Sequence, residues 1–378
     1  MSAKLLNIKE SIVMQMSKLA AEHGAIDLAQ GFPELNTSDE LINLVTKYML
    51  ANNNQYATLE GVLELRQAIS TVIEELYSKK YNPQTEITIT AGATEAIYSA
   101  ITAFVDEDNE VIIFEPAYDT YSPVVRLNGG KPIYVKLQHP DYVINWEQVK
   151  MHVTARTRMI IINTPHTPTG RLLTHDDFEM LSKIVANSNI VVLSDEVYEH
   201  LVFPENTFCS ISMFPKLAER SIVVNSFGKM LNITGWKVGY TLAPENLTKE
   251  IRKIHRFVTA SINKPVQYAL AEYLNNKSYL ELAELYSIKR NLFTELIEDT
   301  KFKVLDSEST FFLLLDYSKV STMKDSEFAN HLTTKYGVAC VPMSEFYHQK
   351  EDNKVLRLCF ARPDEVLKEV ALRLTKVV

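Results

Sequence analysis

Lys229 stands directly after the apolar run 221–225, in Ser226-Phe227-Gly228-Lys229. A lysine just past the end of a buried strand is poorly hydrated. Its ammonium can give up a proton near neutral pH, which makes the amine a nucleophile toward an aldehyde. Ser226 and Lys237 flank it, and both can hold a phosphate. A second apolar run, Val192-Leu193-Ser194, ends in Asp195, with Glu196 and Tyr198 just beyond. An acid so placed can cap a helix, or it can pair with a protonated ring nitrogen, since opposite charges in contact raise proton affinity. A third stretch, Thr90-Ala91-Gly92-Ala93-Thr94-Glu95, reads as strand, small-residue turn and helix start. Amides at a helix start face an anion, and the helix dipole favours it. Gly92 and Ala93 let the backbone come close.

These parts answer the four needs of pyridoxal phosphate. An amine takes its aldehyde (Lys229), a carboxylate meets its ring nitrogen (Asp195), a hydroxyl donates to its phenolic oxygen (Tyr198), and a cradle holds its phosphate (Gly92, Ala93, Thr94, Ser226, Lys237). A substrate carboxylate calls for a forked, permanently charged donor. In Val355-Leu356-Arg357-Leu358-Cys359-Phe360-Ala361-Arg362, Arg357 is embedded among apolar residues, where an unpaired charge is costly. It is the candidate clamp. Arg362, beside Pro363, reads as a surface or helix-start residue.

The elements that must position these groups alternate. Short, nearly all-apolar runs at 87–90, 111–114, 132–137, 159–163, 190–195, 221–226 and 239–243 have the character of strands buried on both faces. Helical patterns at 95–104, 120–127 and 176–186 lie between them. That alternation predicts an α/β fold with a mostly parallel sheet, and such sheets bind ligands beyond the carboxyl ends of their strands. The candidates above fall at such ends. From about residue 244 the pattern changes to helical stretches at 246–258 and 265–299. Strand-like runs follow at 302–305, 311–316, 338–341 and 355–360, with a last helix at 364–376. This predicts a smaller α+β domain. The expected division is an N-terminal arm and part of the small domain over 1–40, a large cofactor-binding domain over 41–270, and a small C-terminal domain over 271–378. Residues 1–19 carry apolar residues at helical spacing and read as an amphipathic arm.

The run Ser226-Phe227-Gly228-Lys229 through Gly235-Trp236-Lys237-Val238-Gly239 resembles the Schiff-base segment of fold-type I pyridoxal-phosphate enzymes. These are the class I/II aminotransferases, here their kynurenine and methionine branch. Asp195-Glu196-Val197-Tyr198 and Gly92-Ala93-Thr94-Glu95 are similar to the family's other motifs. The resemblance implies a seven-stranded large domain, a small domain made from both termini, and two subunits with sites between them. It further implies that Tyr118, in Glu115-Pro116-Ala117-Tyr118-Asp119-Thr120-Tyr121, lies on the cofactor ring. Tyr118 and Tyr121 otherwise read as core residues on a helix face. Tyr56, in Asn54-Gln55-Tyr56, would reach the phosphate bound by the neighbouring subunit. Gly31 and Phe32 of Gln30-Gly31-Phe32-Pro33 would hold the substrate carboxylate and line its pocket, and Arg357 would be the clamp. The family's Asn in Asn163-Thr164-Pro165-His166-Thr167-Pro168 is replaced by Thr167, and no aromatic residue stands at Ala260. A threonine hydroxyl cannot bridge two acceptors as an amide does. Thr167 would still face both cofactor and substrate.

The activity so implied is transamination from a neutral or aromatic amino acid (methionine, phenylalanine, glutamine or kynurenine) to a 2-oxo acid. A β-lyase acting on cysteine conjugates would use the same residues. A non-catalytic cofactor-binding protein is the third reading. A dehydrogenase is excluded because no strand is followed by Gly-x-Gly-x-x-Gly. With a net charge of −8 over 378 residues, no general basic field draws nucleic acid. No apolar run approaches the roughly 18 residues of a membrane span. The nine histidines show no metal-ligand spacing. Three separate cysteines, Cys209, Cys340 and Cys359, suit a reducing, cytoplasmic setting.

Overall fold

A computed structural model describes residues 10–276 and 281–377. Seven strands form the main sheet: β1 (Ile87–Thr90), β2 (Glu110–Glu115), β3 (Lys131–Lys136), β4 (Thr157–Asn163), β5 (Val191–Asp195), β6 (Ser221–Ser226) and β7 (Gly239–Leu242). Their order across the sheet is β1-β7-β6-β5-β4-β2-β3. β3, β2, β4, β5 and β6 run parallel, while β7 is antiparallel to both β6 and β1. β1, β2, β5 and β7 are buried along their whole length. That is why they read as unbroken apolar runs and not as alternating ones. Helices Gly92–Phe104, Tyr121–Leu127 and Glu245–Val258 pack on one face and Leu63–Tyr77 and His175–Val185 on the other, each side closing its own apolar core.

The reversal of β7 matters for the site. Ser226 at the end of β6 pairs with Gly239 at the start of β7, and Gly239 also pairs with Thr90 at the end of β1. The carboxyl edge of the parallel strands therefore receives the segment that leads into β7, and with it Lys237.

The second sheet is built from Lys303–Val304, Phe312–Asp316, Val341–Pro342 and Val355–Cys359. Beside it Ile26–Asp27 pairs in parallel with Val338–Ala339, so the N-terminal segment completes the C-terminal region. The expected arm is a helix over Ile12–His23, with Met16 and Ala20 buried one turn apart and Gly24 ending it in a left-handed conformation. Residues 1–9 of that expectation lie outside the described residues.

The helical stretch expected over 265–299 is divided. Helix Lys264–Tyr273 gives way to a 3-10 turn at Leu274–Asn276, and a further helix spans Leu282–Leu296. Asparagines compete with the backbone for hydrogen bonds and favour turns over helix interiors, which the apolar periodicity alone does not register.

Candidate active site

A cavity of about 310 Å³ opens at the carboxyl edge of the main sheet, at the lower end of the roughly 300–1,000 Å³ usual for small-molecule sites. Gly92, Ala93 and Thr94 enter it from the turn after β1, and Tyr118 from the loop after β2. Thr167 comes from beyond β4, Asp195 and Tyr198 from β5 and its continuation. Ser226 and Lys229 follow β6, and Lys237 precedes β7. Gly31 and Phe32 close it from the N-terminal segment. Two expected residues stand elsewhere. Tyr56 is 89% exposed and borders a separate surface groove with Met49, Ser261 and Lys264. Arg357 is buried behind the cavity wall, not in it.

The phosphate end is shaped by close backbone approach. Gly92 has a φ of +76°, a left-handed value that favours glycine. A Cβ on Gly239 would lie 2.6 Å from Asn225 O and 2.9 Å from Ala93 N, so only glycine lets β7 run beside the helix start. Helix Gly92–Phe104 offers its first amides, which have no partner within the helix. Ser226 caps the short helix Phe227–Met230 by accepting from Gly228 N at 3.2 Å.

Lys229 is surrounded by protein. Its Nζ donates to Gly31 O at 2.7 Å and lies 5.0 Å and 5.3 Å from the Phe311 and Tyr198 ring centres. Burial lowers its ammonium to about 8. Asp195 is moved the other way: burial raises its carboxyl to about 6, opposed by a hydrogen bond from Tyr121. Both shifts bring groups of opposite charge toward neutrality, as desolvation requires. Burial also raises the Tyr198 phenol above its ordinary value, so it stays a proton donor.

Asn163, at the end of β4, braces the loop beyond it. Its amide donates to Asp195 O at 2.8 Å, and its Oδ1 accepts from Thr167 N at 2.7 Å. Thr167 Oγ1 is buried beside the Tyr198 phenol without a hydrogen bond of good geometry. An unpaired buried hydroxyl is costly and marks a place where a bound group can complete the bonding.

The segment 27–32 is held by three cations. Arg357 Nη2 donates to Ala29 O at 2.6 Å, Lys229 to Gly31 O, and Arg362 Nη1 to Phe32 O at 2.7 Å. Arg362 Nη2 also donates to Asp27 O at 3.0 Å. Arg362 is thus not a surface residue, as its neighbour Pro363 suggested. It is 1% exposed, because its guanidinium turns inward to serve the carbonyls of Asp27 and Phe32, and buried carbonyls need donors. Arg357 is stacked on Phe312, 4.3 Å from the ring centre, and its Nε has no partner.

The sequence reading also passed over Tyr121, Asn163 and Gln30. Tyr121 donates to Asp195, while Asn163 and Gln30 line the cavity. Tyr121 had one visible signal, its nearness in sequence to Tyr118, whose ring it meets although Tyr118 stands in the loop before the helix.

Pyridoxal phosphate suits these walls. A cationic, amide-rich corner made close by two glycines matches a phosphate, and a buried carboxylate matches a ring nitrogen. A depressed lysine matches an aldehyde, and the orphan hydroxyl of Thr167 stands next to a phenol donor. Comparison with known proteins agrees. The profile of the family Aminotransferase class I and II matches residues 24–374. The chain is similar to a methionine aminotransferase of Escherichia coli, with 41% identity over 99% of this chain and 98% of the relative. It is also similar to a kynurenine–oxoglutarate transaminase of Dictyostelium discoideum, with 30% identity over 97% and 94%. The solved structure of N-succinyldiaminopimelate aminotransferase from Mycobacterium tuberculosis superposes with a TM-score of 0.96 at 33% identity, covering 100% of each chain.

Proposed function

The chain belongs to the class I and II aminotransferases and is a pyridoxal-phosphate enzyme, and from that premise we propose that it transaminates neutral and aromatic amino acids of the methionine and kynurenine type. One observation carries the substrate class. The charged side chains lining the cavity are Asp195, Lys229 and Lys237, and the cofactor would engage all three. The rest of the wall is Gln30, Phe32, Ile97, Val197, Thr234 and similar uncharged groups. A charged substrate side chain would be buried there unpaired, which is expensive.

The cofactor, when bound, supplies an aldehyde and an electron-accepting ring. The protein supplies the rest. Lys229 would hold the aldehyde. Its low proton affinity leaves part of the amine neutral at working pH, so that Nζ takes the substrate's α-proton and later returns it. Asp195 would face the ring nitrogen and Tyr198 the phenolic oxygen, with Thr167 next to it. Ser226, Lys237 and the amides from Gly92 to Thr94 would hold the phosphate. Tyr118 would cover one ring face. Arg357 reaches the substrate carboxylate by exchanging its bond to Ala29 O, while Gly31 and Phe32 close over the amino acid.

Two copies of the chain form the working unit in this reading. Leu50, Tyr56 and Phe257 are 79%, 89% and 85% exposed, large side chains that an interface would cover. Covering them would bring Tyr56 to the partner's phosphate end. The proposed division is 1–40, 41–270 and 271–378, supported by main-sheet strands within 87–242 and second-sheet strands within 303–359, and a cytoplasmic setting agrees with three free cysteines. Among the described residues no helix is long and apolar enough to cross a membrane.

The test is a half-reaction screen. The visible absorbance of the lysine-bound cofactor is followed on adding each of the twenty amino acids, kynurenine and a cysteine conjugate. Fast loss with methionine, phenylalanine or kynurenine, and slow loss with aspartate, is expected. Preference for aspartate or glutamate would refute the substrate class. Pyruvate and ammonia from the conjugate without an oxo acid would establish the lyase reading.

A further inference from the structure

Tyr121 is outside the cavity yet touches two of its walls. It opens helix Tyr121–Leu127 and is 3% exposed. Its phenol donates to Asp195 Oδ2 at 2.5 Å. Its ring meets Tyr118 edge-on, with centres 5.6 Å apart and planes at 81°. The other hydrogen bond to the carboxylate is a long one, from Val197 N to Oδ1 at 3.4 Å. We propose that Tyr121 is a positioning residue for the cofactor ring: it keeps Asp195 ionised and aimed, and it fixes the ring of Tyr118 on the same group.

This rests on the reading of Asp195 as the partner of the ring nitrogen. The charged and titratable groups around that carboxylate are Tyr121 from its helix, Lys229 from the helix Phe227–Met230, and Tyr198 from the turn after β5. Lys229 favours the ionised acid by charge, but its amine is committed to the aldehyde when the cofactor is bound. Tyr121 is then the remaining side-chain donor that offsets burial. Its own proton is secure, because burial first and Asp195 second push its phenol well above the ordinary value. The bond therefore persists through the working pH range. A donor to an ionised acceptor stabilises the charged form, so Asp195 can face the ring as an anion despite burial.

The experiment compares wild type with Tyr121→Phe, which keeps the ring and removes only the donor. Apoenzyme affinity is measured from pH 5 to 8 for pyridoxal phosphate and for its analogue with carbon in place of the ring nitrogen. In the variant the acid limb of pyridoxal phosphate binding should move up by about one pH unit, the order expected for one hydrogen bond to an ionised group. Near pH 5 its affinity should fall about tenfold, while affinity for the analogue changes less than about twofold. Tyr121→3-fluorotyrosine keeps the shape and donates more strongly, so its limb should move down. It also serves if the phenylalanine variant fails to fold. An unmoved limb, or equal losses for cofactor and analogue, would overturn the proposal. Asp195→Asn separates the two levels. If it too retains the preference for pyridoxal phosphate over the analogue, the role given to Asp195 fails. If it loses that preference while Tyr121→Phe keeps it, only the role of Tyr121 fails.

Discussion

Replacing Lys229 with methionine should destroy transamination and stabilise the folded apoenzyme at neutral pH. The buried ammonium is the cause. Unfolded, a lysine holds its proton up to about 10.5, whereas in the fold Lys229 gives it up at about 8. Below pH 8 the folded protein carries a charge it has poorly solvated. At about 1.4 kcal/mol per pH unit, the cost is about 3 kcal/mol. Methionine has similar length, no charge, and fits irregular apolar surroundings. Against the gain stands the lost bond to Gly31 O, worth about 1 kcal/mol. The net expectation at pH 7 is about 2 kcal/mol in favour of the variant.

The sign of the pH dependence separates this cause from better packing. A lowered lysine penalises the fold below its folded value, and the penalty fades as pH rises from about 8 to about 10.5. By pH 10 it is about 1 kcal/mol, equal to the lost hydrogen bond, so the two proteins should become equally stable. Urea unfolding of both apoenzymes at pH 7 and pH 10, at one protein concentration, measures this directly. A variant no more stable than wild type at pH 7, or one whose advantage persists unchanged at pH 10, would refute the reasoning.

Two further substitutions probe other parts of the site. Thr167→Asn replaces a buried, unpaired hydroxyl with an amide that can reach two acceptors, and one added hydrogen bond should raise kcat/KM by about tenfold; steady-state kinetics with methionine decides it, and a fall would show that the cavity is fitted to the hydroxyl. Arg362→Lys keeps the charge but loses the fork that spans Asp27 O and Phe32 O, so unfolding free energy should drop by about 2–3 kcal/mol, and KM should rise more than kcat falls, because the strap carrying Phe32 loosens; an unchanged KM in a destabilised protein would confine Arg362 to stability.

The architecture was legible because the strands of this sheet are covered on both faces, so burial alone writes them as apolar runs. The carboxyl-edge rule then gathers Gly92, Asp195 and Lys229, while Thr167 is marked by the family resemblance alone. What escaped was long-range. Tyr121 lies 74 positions from Asp195, and a helix-face tyrosine gives no local sign of the acceptor it will meet. Arg362 was misread for a related reason. Pro363 is a local mark of a boundary, whereas the carbonyls that bury the guanidinium belong to residues more than three hundred positions earlier. The break at Leu274–Asn276 escaped because apolar spacing continues across it.

The strap at 27–32 ties the chemistry to the fold. Leu28 O accepts from Cys359 N of the second sheet, and three cations serve the carbonyls of Asp27, Ala29, Gly31 and Phe32. In the proposed mechanism two of these, Lys229 and Arg357, have other work. Arg362 has no such second task. If cofactor and substrate draw Lys229 and Arg357 away as proposed, Gly31 O and Ala29 O would lose these donors, while Asp27 O and Phe32 O would keep theirs. Arg362 therefore pins both ends of the strap while its middle is freed. Closure over the amino acid would then need only local rearrangement of Ala29 to Gly31, and the bonds given up there would offset part of the gain from binding. A site that spends binding energy in this way keeps substrate affinity moderate without weakening the interactions made during proton transfer.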